Sequence, residues 1–177
     1  MTSPNLPSLE SIAILAEELE KKGLYPVLVG GMALIALGSQ RVTKDIDFLI
    51  STEEKLLDDL VGVLYAHGFE LVSKFNKLRE VERTIDNKKV ASLRLKMDAP
   101  TTAFFFNHQT RLKTDLLFDF PFPAKEIAAN ATLIKIGKRT IRTASPQDLI
   151  RLKEAAYKDR GLSTDAQDLE FLRKLNK

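Results

Sequence analysis

Val29-Gly30-Gly31, then thirteen intervening residues and Asp45-Ile46-Asp47-Phe48-Leu49-Ile50, is the stretch on which the reading of this chain turns. Along Asp45–Ile50 the side chains alternate between two faces, as in a strand. Ile46, Phe48 and Ile50 leave one face; Asp45, Asp47 and Leu49 leave the other. Two carboxylates two residues apart on one face can together hold one or two magnesium ions. Upstream, Tyr25–Val29 is a short β-rich apolar run, and Met32–Leu37 fits a short helix stopped at Gly38. Glycines at a strand-to-helix step let backbone approach a ligand closely, and a helix starting there points free N–H groups at an anion such as phosphate. Gly31 is therefore expected at a helix N-terminus facing the acids.

Outward from this stretch the pattern is that of alternating helices and strands. Residues 9–22 carry Ile12, Leu15, Ala16 and Leu19 at helical spacing, with Ser8 as cap and Gly23 as stop. Ser51 and Glu54 read as a capping box opening a helix that ends at Gly68, with Leu56, Leu57, Leu60, Val61 and Leu64 as its buried stripe. His67 falls at the end of that helix, and His108 has no evident partner. Phe69–Val72 reads as a strand. Residues 74–110 fit no single period: Val90–Met97 suits strand or helix, and Phe104-Phe105-Phe106 reads as core or interface rather than a base-stacking platform. Asp115–Phe120 is a strand with Leu116, Phe118 and Phe120 opposite Asp115 and Asp119, ended by Pro121 and Pro123. Leu133–Ile136 and Thr140–Arg142 suggest a hairpin across Gly137-Lys138. Ser145-Pro146-Gln147-Asp148 starts a helix running to about Lys158, and Thr164 with Gln167 caps a last one carrying Leu169, Leu172 and Leu175. The expectation is an α+β (α/β) chain, one domain over 1–177. A small mixed β-sheet is flanked by helices, and a C-terminal helical pair at 145–177 packs on it.

Composition narrows the chemistry. The chain has 177 residues, 44% of them hydrophobic, enough for a real core. Without cysteine there is no disulfide framework, thiolate-bound zinc or thiol catalysis, and two histidines cannot build a multi-histidine centre. Any metal would be a hard cation on carboxylates. The start Met-Thr-Ser-Pro-Asn has neither basic nor apolar leader character, and no apolar run reaches the roughly 18–20 residues of a membrane span. A soluble, cytoplasmic protein is expected. Net charge is +3, from 27 basic and 24 acidic residues, which permits a nucleic-acid partner without arguing for one.

A two-metal carboxylate site needs a third acid from a neighbouring strand. Asp115 is the first candidate, and Asp119 the second because it shares that strand face. A Gly-Gly pair alone is usually a turn, and an Asp-x-Asp alone is usually two solvated acids. Their joint occurrence at this spacing, with apolar residues interleaved, is much rarer.

The segment Val29-Gly30-Gly31 … Arg41-Val42-Thr43-Lys44-Asp45-Ile46-Asp47-Phe48-Leu49-Ile50 resembles the nucleotidyltransferase superfamily, most closely its minimal nucleotidyltransferase and AbiEii-like bacterial groups. Thr114-Asp115-Leu116-Leu117 sits where those proteins place the third carboxylate. Asp148-Leu149-Ile150-Arg151-Leu152-Lys153, then Asp165-Ala166-Gln167-Asp168-Leu169, is similar to the AbiEii-like ending. The resemblance implies a nucleotidyltransferase fold. It implies Asp45, Asp47 and Asp115 as catalytic and metal-binding residues, with Mg2+ or Mn2+. Gly30, Gly31, Arg41, Thr43, Lys153 and Asp168 (or Asp165) would lie at the nucleotide. The implied reaction moves a nucleoside monophosphate from a nucleoside triphosphate, ATP foremost, to a hydroxyl of a protein, a tRNA end or a small molecule. A toxin–antitoxin setting is implied too, with a helical toxin as candidate partner and a homo-oligomer allowed. The competing reading is a non-catalytic nucleotide-binding or antitoxin-like interaction module.

Overall fold

The computed structural model describes residues 7–160 and 163–177. The first half runs α1 (Leu9–Lys21), β1 (Val27–Val29), α2 (Gly30–Ala36), β2 (Asp45–Ile50), α3 (Leu57–Ala66), β3 (Phe69–Phe75) and β4 (Val81–Ile85). The second runs α4 (Lys88–Asp98), β5 (Thr102–Asn107), β6 (Lys113–Phe118), α5 (Ala124–Ala129), β7 (Thr132–Ile136), β8 (Arg139–Thr143), α6 (Pro146–Arg160) and α7 (Ser163–Leu175). Among the described residues the strands form one eight-stranded sheet in the order β4-β3-β5-β6-β2-β1-β8-β7. It is mixed: β2 with β6 and β1 with β8 pair parallel, and the other neighbours pair antiparallel.

The sheet centre is where burial is greatest. Phe48, Leu49 and Ile50 of β2 are fully buried, so this strand loses its alternation at its C-terminal end. Helix α1 buries Ile12, Ala13, Leu15, Ala16 and Leu19, and packs on β7, β8 and α3. Ser8 caps it, accepting the Ser11 N–H at 3.1 Å. Helix α6 opens with a reciprocal cap, Ser145 Oγ accepting the Asp148 N–H and donating to the Asp148 carboxylate, both at 3.1 Å. Helix α7 packs along α6 and reaches back to α2. No described helix is long and apolar enough to cross a membrane.

Several sequence expectations are corrected. Ser51 and Glu54 form no capping box: a short 3-10 turn, Glu54–Leu56, precedes α3, and the Ser51 hydroxyl donates to Asp119 Oδ2 at 3.0 Å instead. The ambiguous Val90–Met97 lies in α4, capped by Asn87 Oδ1, which accepts the N–H groups of Lys89 and Val90. Phe104–Phe106 lies in β5, an interior strand between β3 and β6. Strands β4 and β5 and helix α5 had no reading of their own. Helix α7 begins at Ser163, which places Thr164 inside its first turn and not at its cap. His108 has partners: its Nε2 hydrogen-bonds Thr84 Oγ1 at 2.7 Å and stands 3.4 Å from Glu70.

Candidate active site

The site begins at the step from β1 into α2. Gly30 is the first residue of α2 and has a left-handed backbone, φ +66°. A Cβ there would lie 2.1 Å from Asp47 Oδ2, so conformation and space both require glycine. Gly31 serves a different neighbour. A Cβ on it would meet Arg41 Nε at 3.0 Å and Thr43 Cγ2 at 3.2 Å. The glycine that faces the acids is thus Gly30, and Gly31 makes room for the loop that leads into β2.

Pairing of β2 with β6 brings the acids together. The parallel register sets Asp47 beside Asp115 and Asp45 beside Lys113. Because side chains alternate, all four leave the same face of the sheet. Burial and the nearby Asp45 charge push the Asp47 carboxyl up to about 6. Burial and the Asp47 charge push Asp115 up to about 8. Lys113 opposes both shifts: its Nζ stands 3.5 Å from Asp115 Oδ2 and 3.9 Å from Asp45 Oδ2. Asp115 Oδ1 is buried and has no hydrogen-bond partner.

These oxygens are the hard donors that a divalent magnesium or manganese ion takes. Among the described residues no three acidic or histidine side chains are closed into a ready-made cage. The face is a partial shell, with its excess negative charge only partly offset by Lys113. The buried, partnerless Asp115 oxygen fits a site that a cation and substrate oxygens complete.

Asp119, the second candidate, is not part of this face. β6 ends at Phe118, and Asp119 follows in a left-handed conformation, φ +50°. Its carboxylate accepts the Ala124 N–H at 2.7 Å and the Ser51 hydroxyl. The alternation that put it beside Asp115 stops one residue too early.

A cavity of about 730 Å³ opens over the acids, lined by Gly30, Gly31, Arg41, Thr43, Asp45, Asp47, Asp115, Lys153 and Asp165 among others. Lys153 is buried, 2.8 Å from Asp168 Oδ2 and 3.4 Å from Asp165 Oδ1. Arg41 also donates to Asp168. Asp168 is buried and does not line the cavity; it ties together Arg41 and Lys153, which do. Thr43 Oγ1 accepts the Asp45 N–H at 3.2 Å, anchoring the start of β2.

Among the cavity residues that the sequence reading missed are Lys113, Phe104, Phe75 and Arg79. Lys113 was within reach, since it precedes Asp115 by two and so shares its face. The rings of Phe75 and Phe104 meet edge to face with centroids 5.2 Å apart, and Lys113 Nζ stands 5.4 Å above the Phe104 ring. Of the three phenylalanines read as core or interface, Phe105 and Phe106 are buried, and Phe104 lines the cavity.

A family model described as nucleotidyl transferase AbiEii toxin, type IV toxin–antitoxin system, matches residues 13–177. The chain belongs to this family. It is a nucleotidyltransferase by descent and by fold. An antigenic nucleotidyltransferase-like protein from Paracoccidioides brasiliensis superposes with a TM-score of 0.61 at 19% identity, over 94% of this chain and 75% of that one. The lincosamide antibiotic adenylyltransferase LnuA, solved with lincomycin bound, gives 0.58 at 13% identity, over 96% and 98%. The antibiotic-resistance factor ANT(2'')-Ia gives 0.60 at 11% identity, over 95% and 85%. At such identities these likenesses speak for the fold alone. No curated protein sequence matches the chain.

Proposed function

We propose that this protein transfers a nucleoside monophosphate from a nucleoside triphosphate, ATP foremost, to a hydroxyl acceptor, with magnesium or manganese as cofactor. We place it in the cytoplasm, as one member of a toxin–antitoxin pair. The observation that carries the reading is the register of Asp47 against Asp115, with Gly30 backbone pressed against Asp47.

The acceptor oxygen forms a bond to the α-phosphorus while the bond from that phosphorus to the bridging oxygen breaks. Pyrophosphate leaves with the electron pair. Asp45, Asp47 and Asp115 would hold the cation. When bound, a divalent ion supplies positive charge to the phosphate oxygens and to the attacking and leaving oxygens. The absence of a side chain at Gly30 lets the triphosphate come close to Asp47. Arg41 and Lys153 bring positive charge to the same cavity, and Asp168 orients both. Asp115 would take the proton of the acceptor hydroxyl as the new bond to phosphorus forms.

The test is incubation with each α-labelled triphosphate, magnesium and cell extract. A labelled macromolecule or small molecule is expected, and nuclease or protease sensitivity then gives its class. Asp47→Asn should remove the label. Magnesium-dependent binding of ATP without any labelled product would instead favour the non-catalytic reading.

A further inference from the structure

We infer that Lys113 is a built-in counter-ion of the carboxylate face, which holds the place of a divalent cation in the empty enzyme and cedes it when metal and nucleotide arrive together. The inference rests on the reading that Asp45, Asp47 and Asp115 are metal ligands. Lys113 enters β6 two residues before Asp115 and lies beside Asp45 in the parallel register. Its ammonium hovers between carboxylates of two strands, 3.5 Å from one and 3.9 Å from the other, at or beyond the outer limit of a hydrogen bond. A lysine with a dedicated partner sits closer: Lys153 is 2.8 Å from Asp168. Lys113 is only a quarter exposed, so its charge is poorly screened by water.

Charge arithmetic gives the consequence. One ammonium between the carboxylates leaves the face one unit less negative than it would be without the lysine, however many of the acids are ionised. The lysine weakens the pull of the empty face on a bare divalent ion. It also leaves room for a triphosphate, whose added negative charge draws the metal in. The Phe104 ring, 5.4 Å from Nζ, attracts the same ammonium from the side of the cavity, so the lysine keeps a partner there when metal takes the carboxylates. Lys113 thus couples metal loading to nucleotide loading, and a free metal ion is kept from occupying the site alone.

The probe is Mn2+ titrated into the full-length protein by electron paramagnetic resonance. It is run without oxygen at pH 8.5, with and without a non-hydrolysable ATP analogue. Lys113→Met should bind Mn2+ alone roughly tenfold more tightly than wild type, and gain less from the analogue. Lys113→Arg, which keeps the charge, should bind as wild type does, and thermal melts check that both variants fold. If Lys113→Met binds Mn2+ with wild-type or weaker affinity while Asp47→Asn loses it, the counter-ion role is overturned and the metal site stands. If wild type binds no Mn2+ even with the analogue, both fall.

Discussion

Asp47 and Asp115 come from neighbouring strands and face each other with too little positive charge to balance them. Asp165 and Asp168 come from α7 and close on Lys153 and, through Asp168, on Arg41. The two acid pairs belong to one region of the molecule, in opposite electrostatic condition. On the strands, burial and mutual repulsion push the carboxyls toward neutrality. On the helix each acid has a cation. The first pair carries a cost that folding alone does not justify, the signature of a ligand site. The second is a tie between the C-terminal helices and the loop before β2, and it is satisfied without any ligand.

The comparison breaks most visibly under neutralisation. Asp47→Asn should reduce transfer to background, since it removes one of the three acids proposed to hold the metal. It should leave the fold intact and raise the stability of the metal-free protein by on the order of 1 kcal/mol at pH 8, because a like charge disappears. Labelled-product assays and thermal melts read the two effects. Asp168→Ala should do the reverse to the fold. It strands the Arg41 charge, leaves Lys153 only its longer contact with Asp165, and costs about 3 kcal/mol, seen as a lower urea midpoint.

A third, smaller effect is the pH dependence of the metal-free protein. Both strand acids have folded values above the 3.8 of an unperturbed aspartate. Between about pH 4 and pH 8 the folded state therefore holds more protons than the unfolded one. Stability falls as pH rises through that window and is lowest above pH 8. The expected loss between pH 5 and 8.5 is on the order of 2 kcal/mol, less than the full shifts would give, because water enters the cavity. Asp115→Asn should flatten this slope, and an unchanged slope would detach it from the strand acids. Magnesium should restore stability most at high pH, where the ligands are already deprotonated. The smallest effect belongs to Asp119→Ala. Losing its bonds to Ala124 and Ser51 should cost about 1 kcal/mol and leave transfer unchanged, marking Asp119 as a turn residue.

What the sequence disclosed follows from how local each signal is. The shared face of Asp45 and Asp47 needs only the two-residue period of a strand, and Asp115 needs only a second strand. Neither requires knowledge of the sheet order. Residues 74–110 were opaque for identifiable reasons. β4 is an edge strand with little buried surface, and α4 buries only Ala91, Ser92 and Leu95, so neither leaves a strong stripe. β5 lies between two strands and buries Ala103, Phe105 and Phe106 with Phe104 facing the cavity, which erases a clean alternation. Ser51 had two possible partners, and the distant Asp119 won over the local Glu54, an outcome only the folded chain decides. Parity carried to Asp119 failed because it assumed a strand that continues, where the backbone turns left-handed.

The parallel pairing of β2 with β6 has a consequence for how the molecule comes into being. Parallel neighbours cannot be joined by a tight turn, so β3, β4, α4 and β5 must all be made before Asp115 can reach Asp47. Lys153 and the α7 acids follow later still. During synthesis Asp45 and Asp47 emerge early, and the third carboxylate follows Asp47 by 68 residues. Long-range closure of this kind is slow relative to helix formation. The three carboxylates are thereby brought together only once the intervening segment has folded, and a chain that stops before Asp115 lacks the third of them.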